Sequence, residues 1–110
     1  RLVLEDHLEG AGAHRARLCW HLGPGARPEV TTPVCVRVAF EGAAVGLSLR
    51  VADHAAAPQI LTGREEPPAG WISRSFDHKA PSPMLVWELP FHDRCVVTTH
   101  IELTFDATDA

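Results

Sequence analysis

The chain has 110 residues, the length of one ordinary domain with a single hydrophobic core. Hydrophobic residues make up 45% of the chain and charged residues 22%, which excludes a chain that is disordered throughout. Ten basic against fourteen acidic side chains give a formal net charge of −4, the wrong sign for binding nucleic acid by bulk electrostatics. No apolar stretch approaches the roughly 18 to 20 residues of a membrane-spanning helix, so no membrane span is expected.

The first half of the chain alternates between apolar and polar residues, the pattern of half-buried β-strands. Residues 2–9 and 14–22 each carry apolar residues on one parity, and the Gly-Ala-Gly sequence at 10–12 predicts a hairpin turn between them. Residues 34–40 and 45–51 repeat this arrangement around a second short glycine-containing turn, so a second hairpin is predicted.

Further strands are predicted over residues 70–76, 84–89 and 95–105, which proline-rich stretches separate from one another. Seven or eight short strands at about ten-residue spacing, with no amphipathic helix, are typical of an all-β fold. We therefore expect a single antiparallel β-sandwich domain over residues 1–105, followed by a flexible tail at 106–110. The chain begins at Arg1 inside a strand-like run, from which we expect a fragment of a longer protein.

The more apolar parity of each strand predicts the side chains that point into the core. These residues are Leu18, Trp20, Val36, Val38, Leu47, Leu49, Val97, Ile101 and Leu103. Apolar residues on the opposite parity predict a second face that contacts a neighbouring domain, and they are Val3, Cys19, Trp87 and Val96. The three cysteines lie in apolar runs and are interpreted as buried thiols. One pair could instead form a disulfide, and the sequence does not select which: Cys19, Cys35 and Cys95.

Seven histidines raise the question of a metal site: His7, His14, His21, His54, His78, His92 and His100. No two of them are spaced at i and i+2 on one strand, and the three Asp-His neighbours would point to opposite sheet faces. No serine lies in the glycine-framed turn of a nucleophile, and no glycine-rich loop precedes a helix. We therefore assign no catalytic, metal-binding or cofactor-binding residue, and expect no cofactor in this chain.

Two groups of side chains have an alternative interpretation as ligand contacts. Trp20, Trp71 and Trp87 could form a platform for sugar stacking, or they could fill a core or a domain interface. Arg15 and Arg17 share one outward strand face, where they could pair with carboxylates of a ligand or neighbour, or remain solvated.

Two segments resemble a known family. Residues 2–10 and 14–25, with the sequences LVLEDHLEG and HRARLCWHLGPG, are similar to a hairpin of the heparinase II/III-like polysaccharide lyases. The segment 70–90 begins GWISRSF and resembles a region near the end of the same family. The resemblance covers essentially the whole chain and implies a C-terminal β-sandwich that follows a helical toroid and β-sheet layers of the same parent chain.

The resemblance implies a parent that cleaves acidic polysaccharides by β-elimination. Family members use tyrosine and histidine for the proton transfers, and an asparagine or glutamine at the uronate carboxylate. This chain has no tyrosine, no asparagine and one glutamine, Gln59. We therefore carry over no catalytic residue and expect the chain alone to have no lyase activity.

The resulting hypothesis is a non-catalytic domain that supports the catalytic region of a periplasmic or secreted lyase and forms part of the wall of its substrate cleft. The polysaccharide could be heparin-like, alginate or a bacterial exopolysaccharide. The alternative is a free-standing carbohydrate-binding or adhesive β-sandwich module.

Overall fold

The computed structural model describes residues 1–51 and 57–105. The regular secondary structure of these residues consists of β-strands, which are β1 (Leu2–His21), β2 (Ala26–Thr32), β3 (Cys35–Phe40), β4 (Val45–Val51), β5 (Gln59–Leu61), β6 (Arg64–Glu65), β7 (Pro68–Ala69), β8 (Trp71–Ile72), β9 (Ala80–Pro81) and β10 (Met84–Phe105). All strand pairs are antiparallel, so the all-β prediction is confirmed. The predicted tail at 106–110 lies outside the described residues. Within the described ranges there is no helix of the length and apolarity needed to span a membrane.

Six of the described strands form one sheet in the order β1-β10-β4-β3-β2, with β5 paired to the N-terminal part of β10. Strands β6 and β7 form one two-stranded ribbon, and β8 and β9 form another. The predicted two-layer sandwich is not confirmed. The large sheet instead folds over its own face, so that residues of β2, β3, β4 and β10 share one core. In this arrangement Trp87, in the N-terminal part of β10, donates its indole N–H to the carbonyl of Pro33, between β2 and β3, at 3.3 Å.

Two predicted strand breaks are wrong. The glycine-rich stretch at 10–12 lies inside β1, and the proline-containing stretch at 90–94 lies inside β10. Both halves of β1 pair with β10, and the register shifts once, between Gly10 and Ala13. The extra residues form a β-bulge opposite Asp93, so the two long strands bend together instead of ending.

Particular side chains hold the bulge. Gly12 has a φ of 88° and donates its N–H to the Asp93 carboxylate at 2.8 Å, while Asp93 itself has a φ of 64°. The imidazole of His14 lies 2.9 Å from a backbone carbonyl within the bulge and stacks on Phe91, with ring centroids 5.3 Å apart. A Cβ on Gly10 would lie 2.9 Å from the His14 ring, so this position requires glycine unless the ring moves.

Most of the predicted core is confirmed. The buried members are Val36, Val38, Leu49 and Val97, and the members that pack against the core at partial burial are Leu18, Trp20, Leu47 and Ile101. The prediction that Leu103 lies in the core is wrong, because this residue is 62% exposed. Its parity matches that of Ile101, but it lies near the end of β10, where the described part of the chain does not cover the core face.

This difference along one strand face predicts different costs of truncation. Ile101→Ala removes a side chain packed against the core and should lower the free energy of unfolding by about 2 kcal/mol. Leu103→Ala removes an exposed side chain and should change it by less than about 0.5 kcal/mol. Urea unfolding followed by circular dichroism measures the free energy of unfolding of both variants. Equal losses would contradict the finding that the core includes Ile101 and ends before Leu103.

Candidate functional site

The histidines of the described residues do not converge on one point. His7 lies 2.6 Å from the Glu5 carboxylate and His92 lies 3.2 Å from that of Asp93, and all of these side chains are exposed. His54 and its neighbour Asp53 lie outside the described residues. In residues 1–51 and 57–105, no three His, Cys, Asp or Glu side chains are arranged to hold a metal ion.

The cysteines have three different environments, and none is in a disulfide. Cys35 is half-buried, with its sulfur 3.5 Å from the Ser48 hydroxyl oxygen, and Cys95 packs against the core. Cys19 is exposed, so its interpretation as a buried thiol is wrong. It lies opposite Val86 on the outer face of β1, where the described chain does not cover it.

The arginines on β1 pair within the chain. Arg15 lies 3.7 Å and Arg17 4.0 Å from the two carboxylate oxygens of Glu88 on the neighbouring strand. The three side chains are largely solvent-exposed, so each pair contributes little to stability. The partner of these arginines in the structure is therefore a carboxylate of this chain.

The predicted second apolar face does not form. Val3 and Val96 are 48% and 49% exposed, but Thr98 and Glu5 lie between them on the outer face. Trp87 faces the core and is fully buried. The outer face of this part of the β1–β10 pair is thus mainly polar, as expected for the solvated side of an antiparallel sheet.

Exposed apolar residues instead continue the core face at one end of the sheet. We call them the apolar strip, which consists of Leu2, Val45, Leu103 and Phe105. Leu2 lies opposite the half-buried Ile101. Leu103 lies opposite the half-buried Leu47, and the next core-facing pair is Phe105 and Val45. The strip is therefore continuous with the core, and the side chain of Phe105 is 72% exposed.

A groove adjoins the strip. Its volume is about 460 Å³, and Val45 and Phe105 line it together with the side chains of Arg27 and Arg37. A surface that combines exposed apolar side chains with arginine is typical of the contact regions between proteins or domains.

The tryptophans have three different roles. Trp87 is the largest fully buried side chain, and Trp20 packs against the core at partial burial. Trp71 is half-buried and lines a cleft of about 250 Å³ at the C-terminal end of β1. We call it the Trp71 cleft, and its lining consists of His21, Leu22, Trp71, Ile72, Ser73, Ser82 and Pro83.

Backbone contacts form the base of the Trp71 cleft. The N–H of Leu22 donates to the carbonyl of Pro83 at 2.9 Å, and the hydroxyl of Ser82 donates to the carbonyl of Leu22. The N–H of Ser82 donates to the carbonyl of Gly70 at 2.9 Å. The two bonds of Leu22 join residues 14–25 to residues 70–90, whereas the bond between Ser82 and Gly70 lies within residues 70–90.

The indole ring in the cleft has fixed contacts. Its N–H donates to the carbonyl of Arg64 at 2.8 Å, and the Lys79 ammonium lies 4.0 Å from the centroid of the ring. This is cation–π geometry. Sequence reasoning did not assign a role to Lys79, although it is the only lysine of the chain. Its position over Trp71 depends on the loop between β8 and β9, whose path a sequence pattern does not predict.

Comparison of the chain with models of protein families, with curated proteins and with solved structures gives no significant match.

Proposed function

We propose that this chain is the non-catalytic C-terminal β-domain of a heparinase II/III-like polysaccharide lyase, and that it packs against the catalytic region through the apolar strip. The strip is the observation that carries this proposal. A solvated face of an antiparallel sheet carries mainly polar residues, whereas contiguous exposed apolar residues mark an interaction surface. Here Leu103 and Phe105 extend the core face with no covering element in the described residues.

The residues that carry the family resemblance have structural roles, which favours a non-catalytic domain. Gly10, Gly12 and His14 build the bulge at which β1 and β10 bend together. Leu22 and Ser82 join the two segments through hydrogen bonds. If the catalytic residues lie in another part of the parent chain, the residues that this domain shares with the family should be those that determine its shape.

On this proposal, the remainder of the parent supplies the groups for β-elimination. The reaction needs a base at the carbon next to the uronate carboxylate, an acid at the leaving oxygen and a group that neutralises the carboxylate. The β-domain contributes packing area beside the substrate cleft. The acidic polysaccharide substrate then implies action in the periplasm or outside the cell.

Charge substitutions in the strip test the docking surface. The isolated chain should self-associate at high concentration, because no element of the described residues covers the strip. The double variant Leu103→Glu/Phe105→Glu should be monomeric in sedimentation velocity, because two carboxylates cannot be buried unpaired at a contact. In the complete parent, obtained from the upstream coding sequence, the same variant should lower the melting temperature by several degrees.

The matched control is Val3→Glu/Val96→Glu, which adds the same charge at apolar positions of comparable exposure on the outer face. This control should self-associate like the unmodified chain and leave the melting temperature of the parent unchanged. Identical behaviour of the two double variants would overturn the proposal that the strip is the docking surface. An upstream sequence without helical pairs would overturn the family assignment.

A further inference from the structure

We propose that the groove beside the apolar strip, which we call the arginine groove, binds an extended acidic peptide segment whose carboxylates pair with Arg27 and Arg37. In the proposed parent this segment would belong to the part of the catalytic region that covers the strip, and that placement rests on the proposed function. The groove and its charges do not. The strip requires only an apolar partner surface, whereas the groove adds a requirement for negative charge.

Small residues form the floor of the arginine groove. On the outer face of the β2–β3 pair, Ala39 lies opposite Arg27. On the outer face of the β4–β10 pair, Gly46 lies opposite Thr104. A Cβ on Gly46 would lie 3.0 Å from the Thr104 hydroxyl oxygen and would overlap the Val38 carbonyl oxygen, so no side chain fills this place. The resulting volume of about 460 Å³ lies within the roughly 300–1,000 Å³ of sites that bind drug-sized ligands, and it can hold a short peptide segment.

The two arginines of the groove are exposed and form no ion pair within residues 1–51 and 57–105. Glu29 also lines the groove and lies opposite Arg37, but it forms an ion pair with neither arginine. A guanidinium group presents a planar set of N–H donors that matches a carboxylate. Two such groups without a carboxylate partner therefore favour an acidic occupant of the groove.

The positions of the arginines define the spacing of the carboxylates that they can bind. Arg37 lies opposite Glu29, and Arg27 precedes Glu29 by two residues on β2, so the two arginines are diagonal neighbours on one sheet face. Diagonal neighbours in an antiparallel pair lie about 7–8 Å apart. In an extended peptide, side chains at positions i and i+2 point to the same side and lie roughly 7 Å apart. Acidic residues at alternate positions of an extended segment therefore match the two arginines.

The end of the strip provides an apolar contact for the same segment. Val45 and Phe105 line the groove and are 37% and 72% exposed. Strand β10 lies two strands away from β3, which is about 10 Å at the usual strand spacing and corresponds to about three residues of extended chain. An apolar side chain two or three residues after the second carboxylate can therefore contact Phe105.

Nuclear magnetic resonance titration of the isolated chain with the capped peptide EAEAF tests the groove, at concentrations at which the chain is monomeric. Peptide QAQAF is the neutral comparison. Peptide EEAAF has the same composition as EAEAF, but its adjacent carboxylates point to opposite sides of an extended chain. We expect EAEAF to shift the amide resonances of Ala39, Gly46 and Thr104 saturably, EEAAF to bind about threefold more weakly, and QAQAF to show no measurable binding. The affinity for EAEAF should fall as the salt concentration rises.

Three variants of the chain assign the charges. Arg37→Gln should weaken the affinity for EAEAF about threefold, the loss expected for one exposed ion pair. Glu29→Gln should strengthen the affinity, because it removes a carboxylate that repels the peptide within the groove. The matched control is Arg50→Gln, which removes an exposed cation on the outer face of β4 outside the groove and should leave the affinity unchanged.

Equal affinity for EAEAF and QAQAF would overturn the acidic character of the partner, and equal affinity for EAEAF and EEAAF would overturn the alternate spacing of its carboxylates. Equal affinity of Arg37→Gln and the unmodified chain would overturn the pairing with Arg37. Absence of shifts in the groove with all three peptides would overturn the site itself. That result would leave the proposed lyase domain standing, because the strip variants test it independently.

Discussion

Replacing Trp87 with alanine should lower the free energy of unfolding by about 3 to 5 kcal/mol, the largest effect that we expect from a single side chain. Trp87 is the largest of the fully buried side chains, and its indole N–H bonds to the Pro33 carbonyl at 3.3 Å. The substitution leaves a cavity between the N-terminal part of β10 and the strands that fold over it. Because small domains are stable by only about 5–15 kcal/mol, this variant should be close to unfolding at ambient temperature.

Urea unfolding followed by far-ultraviolet circular dichroism measures this loss without relying on the fluorescence of the residue that is removed. Phe76→Ala is the control, because the Phe76 side chain is 96% exposed and its removal should cost less than about 0.5 kcal/mol. A loss below about 1 kcal/mol for Trp87→Ala would show that the sheet does not fold over its own face around this side chain.

Substitution of Gly70 by alanine should be the most damaging glycine replacement in the loops, with a loss of about 3 kcal/mol. Gly70 has a φ of 76°, and a Cβ there would lie 2.7 Å from the carbonyl carbon of Leu61 and overlap its oxygen. Backbone atoms cannot move aside as the end of a flexible side chain can. The carbonyl of Gly70 also accepts the N–H groups of Gly63 and Ser82, both at 2.9 Å.

Gly42→Ala separates the two causes of this loss. Gly42 has a nearly equal φ of 74°, but a Cβ there would meet no atom of the described chain within 4 Å. Its replacement should cost only the left-handed backbone strain of about 1–2 kcal/mol. Thermal and urea unfolding of the two variants give the comparison, and equal losses would rule out the close approach of Leu61 to Gly70. Because Gly70 precedes Trp71, its variant should also shift the indole resonance of the Trp71 cleft.

The strand content and much of the core could be predicted from local pattern. Alternation with a period of two is imposed by the pleat of a strand, so any half-buried strand shows it in its sequence. Val36 and Val38 on β3, Leu49 on β4 and Val97 on β10 therefore point inward as their parity predicts. The parity of Leu103 was predicted from the same pattern, and its register opposite Leu47 shows that it does face the core side.

Burial, in contrast, depends on what lies over a face, and strand parity contains no information about that. Leu103 and Ile101 share a face, but only Ile101 lies where another part of the sheet packs against it. The same limitation applies to Trp87, for which strand parity predicts an outer face but which lies in the centre of the core. Its burial requires the fold-back of the sheet onto the turn at Pro33, a contact between residues distant in sequence.

The candidate sites show the same division between local and long-range information. A Gly-Ala-Gly sequence has the backbone freedom for a hairpin turn and for a bulge alike, and the choice was decided by the partner strand, whose Asp93 accepts the N–H of Gly12. Lys79 and Trp71 are recognisable in the sequence as a cation and an aromatic ring. Only the tertiary path of the β8–β9 loop places one over the other, because that contact depends on irregular backbone for which residue order specifies no repeating geometry.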